Sequence, residues 1–252
     1  YSRYYCAIQV GSLLSTPISA ALRLRFGFSA AFGVCGLAAA AACAVLLLSW
    51  KQFTPQNPVV EAVLESEQER PADWKRLAFF LLGASLFYAG LQQQQTTMVK
   101  WAKDVCQSAV PEVVGTLNPL FCLGLLLVPA VAGWHNLKYR ALLAGLSLAA
   151  AFALLAFAGP SLGWVVGWYA LATVGEALLS PLGMSHVSAA VPRRLAGTAS
   201  ALWLLSLAVG GKAAGVLGSL PLHTAVTASI LTSLAAALVL WLSLALRTKE
   251  KH

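Results

Sequence analysis

Residues 175–215 read GEALLSPLGMSHVSAAVPRRLAGTASALWLLSLAVGGKAAG, and their pattern decides the fold. Two apolar stretches, running back to about residue 163 and on to about 218, flank a turn made by Pro192, Arg193 and Arg194. Each is long enough for a helix of about 20 residues, which is what a hydrocarbon layer of about 30 Å requires. Only Glu176 and Lys212 bring charge into them.

The same ruler, carried outward, finds eight candidate spans, at about 4–22, 27–49, 77–101, 113–134, 140–158, 163–188, 196–218 and 222–246. The 252 residues are 59% hydrophobic and 10% charged, and mean hydropathy is +0.74. A soluble chain carries about a quarter charged residues, so this one lacks the charge to cover a water-facing surface. The expected fold class is all-α integral membrane.

Most connections are short and marked by Gly, Pro or basic residues, whereas 50–76 contains Pro55, Pro58 and Pro71 and five of the nine acids. It reads as a soluble linker between two bundles, with one short helix at 58–69. The organisation expected is two helices over 1–49, a linker over 50–76 and a six-helix bundle over 77–252.

Lys and Arg number 17 against 9 Asp and Glu, but the basic residues sit singly or in pairs at span ends, with no stripe to follow a phosphate backbone. A nucleic-acid partner is not expected; the lipid bilayer is. With eight spans, Arg3, Lys51, Arg70, Lys75, Arg76, Lys138, Arg140, Arg193, Arg194, Arg247, Lys249 and Lys251 fall on one side, and Arg23, Arg25, Lys100 and Lys103 on the other. The positive-inside rule then places both termini and the linker in the cytoplasm, and the short loops suggest a plasma (inner) membrane.

Cys6, Cys35, Cys43, Cys106 and Cys122 show no CxxC spacing, and the four histidines show no metal spacing. No phosphate loop, nucleophile elbow or paired carboxylates appear, so no enzyme activity, metal or cofactor is expected. The opening YSRYYCAIQVGSLL has no initiator Met and no leader pattern, which suggests part of a longer chain.

Charges and amides are costly in hydrocarbon and face other helices or a cavity when they occur there. Glu176 is the only acid inside a span, and helical spacing aligns it with Tyr169, Thr173, Ser180 and Gly183. A carboxylate there can carry a proton or hold a substrate ammonium; it can also serve packing alone. In LFYAGLQQQQTT, residues 86–97, helical spacing puts Tyr88, Gln92, Gln95 and Thr96 on one face. They line water or substrate, or act as interhelical amide glue. Lys212 either snorkels to an interface or faces a cavity, Gly211 and Gly215 read as a GxxxG packing motif, and Trp203 and Ser206 share a face that lines a cavity or packs in the core.

Residues 175–215 resemble the tenth and eleventh helices of the proton-dependent oligopeptide transporter family, within the major facilitator superfamily. TLNPLF at 116–121 resembles the eighth, LFYAGLQQQQTT the seventh, and YYCAIQVGSLLSTPI with RFGFSAAFGV the fifth and sixth. The resemblance implies that the eight spans are helices five to twelve of a twelve-helix carrier. The ExxER motif of the first helix and the lysine of the fourth would lie outside this chain. It further implies that Glu176 engages a peptide N-terminus with Asn118 beside it, and that Trp203 and Ser206, in WLLS where the family has WFLS, wall the pocket. Gln92 stands where the family usually has a glutamate, and Gln9 and Gly211 where it has asparagines. Glutamine cannot titrate, so Glu176 is the proton-coupling candidate.

The leading expectation is a secondary transporter importing di- or tripeptides with protons by alternating access about a midplane site. Its substrate-binding candidates are Glu176, Asn118, Trp203, Ser206, Gln92, Ser180, Tyr88 and Gln9. One alternative keeps the fold and changes the cargo to nitrate or another small metabolite. Another is a non-transporting, incomplete or degenerate carrier.

Overall fold

The computed structural model describes residues 2–53, 73–107, 111–126, 136–159 and 161–245. The elements, in order, are α1 (Ser2–Phe26), α2 (Phe28–Leu48), the single turn α3 (Trp50–Phe53), α4 (Trp74–Leu91), a 3₁₀ turn (Gln92–Gln95) and α5 (Thr97–Asp104). A second 3₁₀ segment (Pro111–Thr116), α6 (Leu117–Leu126), α7 (Leu137–Ala156), α8 (Leu162–Ala189), a 3₁₀ turn (Arg193–Leu195), α9 (Ala196–Ser219) and α10 (Leu222–Ala245) follow. Asp73, Asn136 and Ser161 cap α4, α7 and α8, their side chains accepting the N–H of Arg76, Tyr139 and Gly163.

Among the described residues, six helices are long and apolar enough to cross a membrane. Two expected spans differ. The third, expected unbroken over 77–101, ends as an α-helix at Leu91, passes through the 3₁₀ turn Gln92–Gln95 and restarts at Thr97. Thr96, at φ −123° and ψ −82°, is the residue that breaks the helical path. The fourth, expected over 113–134, begins as 3₁₀ and is α-helical over Leu117–Leu126; the rest of it, like the expected linker helix at 58–69, lies outside the described residues.

Five helices close on themselves: α8 packs on α7, α7 on α10, α10 on α4, α4 on α9, and α9 on α8. The core between them holds Phe80, Phe87, Phe152, Trp168 and Tyr169, none with any exposed surface. Phe152, Trp168 and Tyr169 meet edge to face, at centroid distances of 5.4 and 5.0 Å. Outside this ring α6 lies on α8, α1 on α6 and on Pro111–Thr116, and α2 on α1. No residue of α2 is buried. Arg76 Nε donates to the carbonyl of Ser243 at 3.2 Å, fastening the start of α4 to the end of α10.

Lipid tails are as apolar as leucine, so helices in a membrane are held by close packing and hydrogen bonds, and small residues set how near they come. A Cβ on Gly145 would stand 2.7 Å from the Ala237 backbone, so α7 and α10 touch nearly main chain to main chain. The expected packing pair Gly211 and Gly215 does not serve this purpose. Gly215 has open space around it, and the nearest atom to a Cβ on Gly211 is Gln92 Cγ at 4.0 Å. Close approach runs instead through Gly210, Ala214 and Gly218: Gly210 lies against Ser85 and Tyr88, Gly218 against Thr96, and Ala214 is buried. The face of α9 is set by Trp203 and Ser206, which are buried on it, and one residue further along is a turn of about 100° away from α4.

Gly210→Ala is expected to lower stability by about 1–3 kcal/mol, because its Cβ would meet the Ser85 carbonyl, whereas Gly215→Ala should be neutral or stabilising by about 1 kcal/mol. Unfolding of the purified protein in detergent micelles measures both; the reverse order would restore the Gly211 and Gly215 pair as the packing motif.

Candidate functional site

Glu176 lies near the middle of α8, half-buried, one helical turn before Ser180. Its carboxylate is met from two other helices. Tyr5 Oη donates to Oε1 at 2.5 Å and Gln9 Nε2 donates to the same oxygen at 3.3 Å. Asn118 Nδ2 donates to Oε2 at 2.6 Å. Tyr5 and Gln9 stand one turn apart on α1, and Asn118 opens α6, so three elements converge on one anion. Hydrogen bonds to an ionised acceptor are the strong class, and an anion within a membrane span needs them.

Sequence reasoning brings Gln9, Asn118 and Glu176 into the candidate set and misses Tyr5, which makes the short bond. The available signal is spacing: Tyr5 and Gln9 are i and i+4, hence on one face. Cys122, one turn after Asn118, is fully buried and packs with Tyr5 and Ala177.

The stripe expected along α8 divides rather than lining one space. Ser180 shares a hydrogen bond of 2.9 Å with the Tyr88 hydroxyl, on the side facing α4. Gly183 gives room to Trp203, whose indole would collide with any Cβ there. Thr173 returns its hydroxyl to the Tyr169 carbonyl, and Tyr169 Oη reaches the Gln94 carbonyl at 3.1 Å. Trp203 in turn meets Tyr88 edge to face at 5.7 Å and Phe80 at 6.1 Å. Of the eight candidates, Gln9, Asn118 and Glu176 form one group, and Tyr88, Ser180 and Trp203 a second group beside it. Ser206 is buried and bonds its own helix at the Trp203 carbonyl. Gln92 is half-buried against Gly211.

The expected face Tyr88, Gln92, Gln95 and Thr96 is not formed, because the 3₁₀ turn rotates its members apart: Tyr88 is buried and Gln95 exposed. The buried glutamine is Gln93, which sequence reasoning did not single out. Its Nε2 donates to the carbonyls of Ala89 and Ala214, both at 3.3 Å, and its Oε1 accepts from Thr96 and Thr97 at 2.8 and 2.5 Å. One amide thereby stitches the break in α4 and α5 to α9. Lys212 is exposed, which settles it as a side chain pointing away from the core.

The sequence pattern of the Major Facilitator Superfamily matches residues 1–215. The peptide transporter YePEPT of Yersinia enterocolitica is 28% identical over 164 residues, 55% of this chain and 32% of that protein. Dipeptide and tripeptide permease A of Erwinia pyrifoliae is 30% identical over 166 residues, 57% of this chain and 33% of the permease. The matched region thus spans about a third of these curated relatives. Among solved structures, the POT family transporter PepTSo superposes with a TM-score of 0.67 over 96% of this chain and 70% of that one, at 19% identity. The fold and the resemblance read from residues 4–215 are borne out together.

If Asn118 acts on the carboxylate, the two residues are energetically coupled. Asn118→Leu alone should cost about 1–3 kcal/mol of stability by leaving a lone pair of Oε2 unpaired, and little in a Glu176→Leu background. A double-mutant cycle by unfolding in micelles measures the coupling; additive costs would place Asn118 outside the site.

Proposed function

We propose, for a chain that belongs to the Major Facilitator Superfamily, that it is the larger part of a proton-coupled importer of di- and tripeptides working by alternating access. In this reading α1 and α2 are the last helices of one bundle, 50–76 is the cytoplasmic linker, and 77–252 is the second bundle, with both termini cytoplasmic and the protein in the plasma (inner) membrane. The names of its relatives, peptide transporter and dipeptide and tripeptide permease, support the cargo.

The single observation that carries the reading is the Glu176 carboxylate, presented within a membrane span between α1 on one side and α6 on the other and bonded only to neutral groups among the described residues. An anion held by neutral donors keeps its negative charge available to a cation. A peptide's terminal ammonium can replace those donors with a charge-assisted bond, and a proton can neutralise the same oxygens. Ser180, one turn further along α8, with Tyr88 of α4 and Trp203 of α9, would form the adjacent wall for side chain and peptide bond. Gln92 and Gln9 would supply amide contacts. Alternation needs the anion to be engaged from one bundle at a time, and its present partners come from both.

The complete reading frame in liposomes tests this. Labelled alanyl-alanine should accumulate with an inward proton gradient and only equilibrate without one. Glu176→Gln should lower uphill uptake by about ten- to a hundredfold, the worth of a charge-assisted bond to the ammonium. Accumulation of equal extent without the gradient would remove the coupling, and uphill transport by Glu176→Gln at the unmodified rate would remove Glu176 from the mechanism.

A further inference from the structure

Oε1 of Glu176 is fully engaged. A carboxylate oxygen has two lone-pair sites, and Tyr5 Oη at 2.5 Å and Gln9 Nε2 at 3.3 Å take both, whereas Oε2 has Asn118 alone. The Tyr5 ring is held for this: it is 8% exposed and packs against Cys122 and Ala177, so the hydroxyl is delivered to the carboxylate by a fixed ring rather than a free arm. The packing partners of α1 are α2, α6 and Pro111–Thr116. Two side-chain bonds from α1 to α8 end on Glu176.

We propose that Tyr5 is a specificity-determining residue: its hydroxyl sits on Oε1 as an internal competitor for the cation subsite, and a ligand gains that oxygen only by displacing it. The inference rests on the peptide reading for the identity of the ligand. A phenol bonded to a carboxylate is a strong neutral donor, so a neutral amide or hydroxyl exchanges for it with little gain. A primary ammonium adds full charge and wins. The site thus rejects blocked N-termini by competition from within. Displacement also breaks the Tyr5 hydrogen bond between α1 and α8, so occupancy of the subsite loosens one helix from the other. Asn118, on the second oxygen, stays in place and keeps the carboxylate oriented throughout.

The complete protein in lipid nanodiscs, with alanyl-alanine and N-acetyl-alanyl-alanine as probes, tests the proposal. Tyr5→Phe keeps the ring and its packing and removes the hydroxyl. It should bind alanyl-alanine about tenfold more tightly than the unmodified protein and admit the N-acetyl probe, whose amide then has no phenol to displace, gains that damage to the fold would not produce. Without any ligand, amide hydrogen exchange over residues 5–16 should rise in Tyr5→Phe. Equal affinity for alanyl-alanine in both proteins, or undiminished exclusion of the N-acetyl probe by Tyr5→Phe, would overturn internal competition. If neither protein binds either probe, the peptide reading fails, and the exchange measurement decides the remaining point: faster exchange in Tyr5→Phe upholds the tie between α1 and α8, and unchanged exchange ends the proposal.

Discussion

A carboxylate inside a membrane span meets no hydrogen-bond donor in the lipid tails, and that constraint organises one side of this molecule. Glu176 must find donors, and the ones it finds lie on different helices: Tyr5 and Gln9 on α1, Asn118 at the start of α6. These bonds and the packing of Tyr5 on Cys122 and Ala177 fix how α1 meets α6 and α8. The anion therefore does for α1 what apolar burial does for helices of a soluble protein. It supplies a directional reason for one arrangement over others.

The five-helix ring is held by a different means. Its helices approach through Gly145 against Ala237 and Gly210 against Ser85, distances that no side chain tolerates. Backbones so near exclude lipid from between them and give dispersion contacts over their whole length. Contacts of this kind resist sliding, whereas α1 meets the ring through α6, through Tyr5 on Ala177 and through the hydrogen bonds to Glu176 that the proposed ligand would replace. A binding site that bridges a stiff element and a replaceable contact is suited to coupling occupancy to movement.

Helix existence was legible because length and apolarity leave a chain of this composition few choices, and six spans agree with their expected positions to within a few residues. The break at Gln92–Gln95 was not, because a run of amides carries no periodicity error to reveal it: Tyr88, Gln92, Gln95 and Thr96 align on an ideal helix, and only the tertiary demand of the Ala214 carbonyl draws Gln93 inward. The Gly211 and Gly215 pattern misled for a related reason. Spacing names a row of residues on a helix but not the side from which the neighbour comes; Trp203 and Ser206, already assigned to one face, fix Gly210 and Gly218 as the row in contact. Glu176, Asn118 and Gln9 were visible as polar groups in apolar runs. Tyr5 was not, since an amphipathic aromatic near a span end is ordinary at a membrane interface.

The glutamine run also has chemistry that a carboxylate in its place would lack. At Gln93 the structure needs a donor for two carbonyls, those of Ala89 and Ala214, and an acceptor for two hydroxyls, those of Thr96 and Thr97. An amide is both; an ionised glutamate would face the two carbonyls with nothing to give. At Gln92 the neighbour is Gly211, with 4.0 Å from Gln92 Cγ to where a Cβ would stand, so two of the positions at which this chain departs from the pattern it resembles are neighbours. An asparagine at 211 would place its amide beside a residue at 92, and a glutamate at 92 would find a donor there. With glycine at 211 that donor is gone, and a charge at 92 would lose its support. Glu176 is the acid within the described membrane spans.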